Sequence, residues 1–170
     1  MKFVKASLVV LLIIVSVLLL LGVFVPEVDD QFETRIDRPL IQVYASVMNL
    51  SRAPEWVVGL DSVAQTSGFL AMPGSTFRLY YSGTETKEIY DLEVVEMVPL
   101  QSVRFSMQND MFLFDVSIRF ESDGLATVLH TYCQIKGKSL MTRSFLPLLK
   151  SSIMEVGKEN FEALKKLEEE

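Results

Sequence analysis

The feature that most constrains this chain is an uncharged apolar run near its N-terminus, residues 6–25, with the sequence ASLVVLLIIVSVLLLLGVFV, which only Ser7, Ser16 and Gly22 interrupt. A helix of about 20 residues rises about 30 Å, which matches the hydrocarbon thickness of a bilayer. Lys2 and Lys5 precede the run, whereas the first charges after it are acidic, beginning with Glu27. The positive-inside rule therefore predicts a cytoplasmic N-terminus and a chain that continues outside the cytoplasm.

A cleaved signal peptide is the alternative interpretation of the same run. The run is longer than the apolar region of most signal peptides, and no small-x-small cleavage site precedes Pro26. We therefore favour an uncleaved single-pass anchor. The predicted organisation is a cytoplasmic tip (1–5), a transmembrane anchor (6–25), a polar link (26–31) and one folded domain (32–168).

The part of the chain after the anchor is acidic. All 22 Asp and Glu residues follow Pro26, against 14 of the 16 Lys and Arg residues, which gives 14 − 22 = −8. This balance disfavours nucleic acid as a partner and disfavours broad adhesion to anionic lipid headgroups. A single cysteine, Cys133, excludes an internal disulfide, so the domain depends on its hydrophobic core.

Hydrophobic periodicity predicts an α+β domain. An alternating strand covers residues 31–37, and Asp37 is placed to cap a helix whose apolar face is Leu40, Val43, Tyr44 and Val47. A second short helix, capped by Ser51, is expected to end at Gly59. Six strands then follow within residues 62–137, and their short joints require antiparallel neighbours.

The chain ends in a long amphipathic helix. Its predicted apolar face recurs at steps of three or four residues and consists of Phe145, Leu149, Ile153, Val156, Asn160, Leu164 and Leu167. The segment 139–150, SLMTRSFLPLLK, carries more Leu and Phe than one buried face requires. Burial under a loop is the interpretation we favour, and contact with the bilayer is the alternative.

Four stretches carry a resemblance to a known family. They are ETRIDRPLIQVYASVMNLSRAPEWVVGL (33–60), VVEMVPLQSVRFSM (94–107), SDGLATVL (122–129) and FEALKKLEEE (161–170). Together they resemble the START-like or SRPBCC superfamily, closest to its polyketide cyclase/dehydrase and lipid-transport members, over about residues 31–168. The resemblance implies a helix-grip fold, a seven-stranded antiparallel sheet wrapped on a long C-terminal helix. It does not imply one activity, because the family's ligands range widely.

Aromatic and methionine side chains are the candidates for lining a pocket between sheet and helix. They are Trp56, Phe77, Tyr81, Phe105, Met107, Phe112, Phe114, Met154 and Phe161. Plain core packing explains the same set equally well, and it is the resemblance that favours a cavity. For Trp56 a core plug between helix and sheet is the favoured interpretation, although its indole N–H requires a hydrogen-bond partner in either case.

No set of residues predicts catalysis, a metal site or a cofactor. His130 is the only histidine and lies three residues from Cys133, on the opposite face of a strand, which excludes a zinc site formed by these two. We therefore expect a membrane-anchored domain that binds or transports a hydrophobic small molecule, lipid-like or isoprenoid-like. The alternatives are a cyclase/dehydrase-like enzyme, with Tyr132, His130 or Glu88 moving protons, and a non-catalytic protein-interaction module.

Overall fold

The computed structural model describes residues 2–82 and 87–170, with side chains described from residue 7 onward except at Lys87. The elements are α1 (Lys2–Phe24), β1 (Glu27–Ile36), α2 (Leu40–Met48), a 3₁₀ helix (Leu50–Glu55), β2 (Leu60–Ser67), β3 (Thr76–Ser82), β4 (Lys87–Val98), β5 (Ser102–Gln108), β6 (Phe112–Asp123), β7 (Ala126–Gly137) and α3 (Leu140–Glu169).

The strands form one seven-stranded sheet in the order β1-β7-β6-β5-β4-β3-β2, in which every pair of neighbours is antiparallel. Strands β2 to β7 pair in chain order because their joints are too short for a parallel crossover. Strand β1 instead closes against β7, its partner at the other end of the sequence. The predicted α+β helix-grip arrangement is confirmed.

Alternation along β6 shows how the sheet divides its two faces. Phe114, Ile118 and Phe120 are buried, whereas Arg119 and Glu121 on the opposite face are exposed. The apolar face points toward α3, because side chains alternate across a strand and only one face can be covered by that helix. The hydrophobic core therefore lies between the concave sheet face and α3.

The structure corrects the prediction of a polar link at residues 26–31. Glu27 to Gln31 form the first half of β1 and pair with β7 from Lys136 to Tyr132. Val28 is buried within this stretch at 7% exposure, so the alternation that predicts a strand begins four residues earlier than expected. As a result α1 is separated from the sheet by two residues, Val25 and Pro26.

The caps predicted for the short helices are also corrected. Helix α2 begins after Pro39, which makes no side-chain cap, and the backbone N–H of Asp37 donates to Glu169 Oε1 at 2.8 Å. The next turn is a 3₁₀ helix whose N-cap is Asn49 and not Ser51. The predicted inner face of α2 is confirmed in part by Val43 and Val47, which are at most 1% exposed.

Helix α3 begins with a capping box, in which the Ser139 hydroxyl accepts from the backbone N–H of Thr142 at 3.1 Å. Its C-terminal half buries Phe161 and Leu164, but its N-terminal half buries Leu146 and Met154. The predicted apolar face is therefore wrong at three positions before Gly157, since Phe145, Leu149 and Val156 are 46%, 42% and 44% exposed. Ile153 of the same face does pack against the core. Periodicity could not choose the face because apolar residues occur all round the helix here.

Helix α1 is joined to α3 by a close helix contact at Gly22. A Cβ added to Gly22 would lie 2.8 Å from both Leu140 O and Ser144 N, and close to Ser144 Oγ. Glycine at this position lets the two backbones approach, as small residues do where membrane helices pack. The contact fixes the end of α1 against the start of α3.

We expect Gly22→Ala to lower the stability of the full-length protein in detergent by about 1–3 kcal/mol, because the added methyl group meets backbone atoms that cannot move independently. Thermal unfolding measures the effect. Gly157→Ala is the matched control, since it places the same methyl group in a helix where the nearest atom is Phe32 Cε1 at 3.9 Å. That control should raise stability by about 1 kcal/mol. Equal changes in thermal stability in the two variants would show that Gly22 makes no close contact with α3.

Candidate ligand-binding cavity

A cavity of about 380 Å³ lies between the concave face of the sheet and α3. Its walls come from the inner face of β1 and of β3 to β7, from α2, from the 3₁₀ helix and the turn after it, and from the middle of α3. The lining residues are Phe32, Val47, Leu50, Ala53, Trp56, Val57, Val58, Leu79, Tyr81, Glu88, Tyr90, Leu92, Phe105, Met107, Phe114, Val116, Ile118, Thr131, Cys133, Ile153, Val156, Gly157, Asn160 and Phe161. The lining is mainly apolar with few polar groups, as in small-molecule sites generally.

The cavity exists because the core is divided into two packed clusters. One contains Phe161 and Leu164 of α3, and the other contains Leu146 and Met154. Between them on α3 lies Gly157, which lines the cavity and has no side chain to fill it. A Cβ built there would meet only Phe32 Cε1 within 4 Å among the described residues. The missing side chain leaves space at the centre of the domain.

Trp56 forms the wall of the cavity that faces α3. It follows the 3₁₀ helix, and its ring lies 5.9 Å from that of Phe161 at an interplanar angle of 51°. The next turn is tied to α3 because the backbone N–H of Val58 donates to Asn160 Oδ1 at 2.8 Å. Gly59 then adopts a φ of +76°, which favours glycine and allows the chain to turn into β2. Trp56 thus packs against the helix and also lines the cavity.

The structure brings together six of the nine residues predicted from the sequence as pocket candidates. These six line the cavity: Trp56, Tyr81, Phe105, Met107, Phe114 and Phe161. Phe77 is instead buried in the larger core cluster, and Phe112 and Met154 pack in the smaller one. Contact of the six with a ligand remains a prediction.

Several lining residues were missed from the sequence although alternation contains the signal for them. Thr131 lies between Leu129 and Cys133 on the inward-facing positions of β7, the face opposite His130. Tyr90 likewise shares the inner face of β4 with Leu92. Residues contributed by α3 required the helix rotation, which only the packed structure fixes.

Three polar side chains of the cavity lining meet on its β3–β4 side. The Tyr90 hydroxyl donates to Glu88 Oε2 at 2.8 Å, and the rings of Tyr90 and Tyr81 pack edge to face at 5.2 Å. Burial raises the pKa of Tyr81 to about 12 and that of the Cys133 thiol to about 11, with nearby carboxylates adding to both. Burial, followed by the hydrogen bond to Glu88, also raises the pKa of Tyr90. At neutral pH these three side chains are therefore uncharged.

These raised pKa values predict that the domain loses stability at alkaline pH. Above pH 9 the unfolded chain releases the Cys133 proton that the folded chain still holds, so stability falls as pH rises. A shift from 9.0 to about 11 makes the loss about 1 kcal/mol by pH 10. Thermal unfolding between pH 8 and 10.5 measures it. Cys133→Ser should reduce this alkaline slope, and Tyr81 and Tyr90 should account for the part that remains. An unchanged slope would show that the thiol is not a cause.

His130 and Tyr132, the other two residues considered for proton transfer, lie outside the cavity. His130 is on the outer sheet face, where its Nδ1 is 2.8 Å from Glu33 Oε1 and its Nε2 is 3.0 Å from Glu121 Oε2. Tyr132 is on the same face and 40% exposed. Among residues 2–82 and 87–170, no cluster of three or more His, Cys, Asp or Glu side chains is arranged to hold a metal ion.

The opening of the cavity is continuous with an exposed apolar surface on α3. Val58 and Val156 line the cavity and are 50% and 44% exposed. From Val156 an apolar strip follows one face of α3 back toward the contact with α1. We define the apolar strip as Met141, Phe145, Leu148, Leu149 and Val156, which are 42–70% exposed.

Comparison with known proteins identifies the fold. No protein-family model and no curated protein matches the sequence. Solved structures do match: an aromatase/cyclase, Zhui, from Streptomyces sp. R1128 superposes with a TM-score of 0.71 at 9% identity, covering 84% of this chain and 94% of that one. The chain has the START-like helix-grip fold.

Two further structures support the same assignment. A START superfamily protein from Mycobacterium smegmatis gives a TM-score of 0.69 at 14% identity, covering 83% of this chain and 97% of that one. Ara h 8.0201 gives 0.68 at 7% identity with the same coverage. The predicted START-like resemblance is therefore confirmed for the fold of the helix-grip domain. Identities this low establish no shared activity.

Proposed function

We propose that this protein is a membrane-anchored helix-grip domain that binds or transports a hydrophobic small molecule, lipid-like or isoprenoid-like, between its sheet and α3. The observation that carries the proposal is the 380 Å³ cavity with a mainly apolar lining. Burial of a ligand in it supplies affinity of roughly 25 cal/mol per Å² of apolar surface. The cavity also disfavours the alternative of an interaction module whose interior is filled by its own side chains.

The membrane part of the proposal rests on α1. Its segment Ser7–Phe24 has a mean hydropathy of 3.2, and only 6% of this segment is buried against the rest of the protein. The helix is therefore long and apolar enough to span a bilayer. We propose that it does so with the N-terminus in the cytoplasm and the helix-grip domain outside, following the charges that flank it.

The apolar strip of α3 lies in the headgroup layer under this proposal. The Gly22 contact fixes the start of α3 beside the end of α1, and only two residues separate α1 from the sheet. An exposed helical face of Phe, Leu and Met next to a membrane span is stabilised by insertion into the bilayer interface. Because the strip ends at Val156, it connects the interface to the cavity opening. This explains how a membrane-dissolved ligand reaches the cavity.

Native mass spectrometry of the full-length protein tests the binding function. Protein extracted in a mild detergent should carry a stoichiometric hydrophobic molecule, which extraction then identifies. Gly157→Leu, which places a side chain in the cavity, should lose that molecule while keeping any lipid bound around α1. A bare mass that stays bare after addition of membrane extract would overturn the proposal.

Cyclase/dehydrase-like chemistry is the second candidate, and the Glu88–Tyr90 hydrogen bond at the edge of the cavity is the observation that favours it. A carboxylate paired with a hydroxyl can move a proton at a bound substrate. A binding protein releases its ligand unchanged, whereas an enzyme alters it. Glu88→Gln separates the two, because it should change the chemical identity of the recovered molecule only if the protein is an enzyme.

A further inference from the structure

Two buried polar atoms, on side chains that line the cavity, have no hydrogen-bond partner among the described residues. They are the indole Nε1 of Trp56 and the hydroxyl Oγ1 of Thr131, and both residues line the same cavity. Thr131 is 2% exposed and lies on the inner face of β7, whereas Trp56 lines the side next to α3.

Unpaired buried polar atoms are uncommon in folded proteins, because each one loses its hydrogen bonds to water without replacement. Two other buried hydroxyls, those of Thr127 and Ser144, donate to backbone carbonyls. Thr127 Oγ1 donates to Arg38 O at 2.8 Å, and Ser144 Oγ donates to Leu140 O at 2.8 Å. Both unpaired atoms thus belong to side chains of the cavity wall. Because the wall encloses them, an oxygen of a bound molecule becomes their partner when the two side chains turn toward the cavity.

The chemistry of the two atoms specifies that partner. An indole N–H can only donate, so it requires an acceptor, while a threonine hydroxyl can donate or accept. The acceptor is not an anion, because the described lining contains no Lys, Arg or His and its one charged residue is Glu88. A carboxylate or phosphate buried beside that lining would lack a counter-charge.

We propose that the cavity takes an uncharged apolar molecule with a carbonyl or hydroxyl oxygen, which accepts a hydrogen bond from Trp56 Nε1, and that Thr131 Oγ1 pairs with an oxygen of the same molecule. The ligand class is a long-chain or isoprenoid alcohol, aldehyde, ketone or ester. Fatty acids and prenyl phosphates are disfavoured, because the lining offers no counter-charge to a buried carboxylate or phosphate. This inference rests on the proposed function and names the ligand of the same cavity.

Four compounds with one C15 isoprenoid skeleton test the inference: farnesal, farnesol, farnesoic acid and the hydrocarbon farnesene. Binding to the full-length protein in detergent is measured by calorimetry, with Gly157→Leu as the blank for uptake into micelles. Farnesal and farnesol should bind at least tenfold more tightly than farnesene, although farnesene is the most hydrophobic. Farnesoic acid at pH 8 should bind at least tenfold more weakly than farnesol.

Substitutions assign the effect to the two atoms. Trp56→Phe and Thr131→Val should each weaken farnesal binding about five- to tenfold more than they weaken farnesene binding. Because Trp56 is the chain's only tryptophan, its single indole N–H resonance should move downfield with farnesal and not with farnesene. Equal binding of all four compounds, or equal losses for farnesal and farnesene in both variants, would overturn this inference alone. Absence of binding by every compound, and no co-purified ligand, would overturn the proposed function itself.

Discussion

Gly157→Leu should abolish ligand binding without unfolding the protein. The new side chain extends from the middle of α3 toward Phe32 and into the cavity, where a Cβ has space. Leucine is also a better helix former than glycine, by about 0.8 kcal/mol, so thermal stability should stay equal or rise. Affinity for farnesol should fall at least tenfold, measured by calorimetry and by the fluorescence change of Trp56, which lines the same cavity.

Gly157→Ala is the matched control for that result. Its methyl group is about the size that the space beside Phe32 accepts at ordinary contact distance, 3.9 Å. It should therefore gain helix stability and keep most of the affinity. If Gly157→Leu binds farnesol as well as the natural chain does, the ligand does not occupy the space between sheet and α3.

Replacing two apolar residues in the middle of α1 with lysine should release the protein from the membrane. Ile13 and Val17 are 57% and 51% exposed along the apolar span, and each lysine near the centre of a bilayer costs about 2.5–3.5 kcal/mol on insertion scales. We expect Ile13→Lys with Val17→Lys to move most of the protein out of the fraction that resists an alkaline carbonate wash.

The control variant adds two lysines as well, but places them outside α1. Ser62→Lys with Ala64→Lys adds the same charges to exposed positions of β2, an edge strand, and should leave the protein in the membrane. The N-terminal sequence of the membrane-bound protein distinguishes anchor from signal peptide, since an uncleaved chain retains α1. A mature protein that lacks α1 would contradict the anchor.

Much of the fold could be predicted because its signals are local. The alternation of Phe114, Ile118 and Phe120 with polar residues is a property of one strand, and short joints dictate antiparallel order. The long C-terminal helix follows from spacing in the same way. Where periodicity is ambiguous, prediction failed: α3 carries apolar residues on several sides before Gly157, and Phe145 was predicted inward although it lies on the exposed apolar strip.

The candidate site could be predicted only in part, because a cavity forms where side chains from distant segments leave the space between two elements unfilled. Phe77 and Phe105 have the same chemistry and both face inward, yet Phe77 is surrounded by core and Phe105 lines the cavity. The sequence does not state how far two elements are apart. Thr131 was missed for the same reason, since its importance comes from lacking a hydrogen-bond partner in the packed structure.

The sequence by itself determined the apolar run, the acidic α+β domain and the order of strands β2 to β7, because each depends on residues close together in the chain. The tertiary structure decided the rotation of α3, the approach of α1 through Gly22 and the cavity beside Gly157. These depend on which of several apolar surfaces meet when distant segments pack. The shapes and volumes of side chains across the whole domain determine which surfaces meet, and local periodicity does not contain this information.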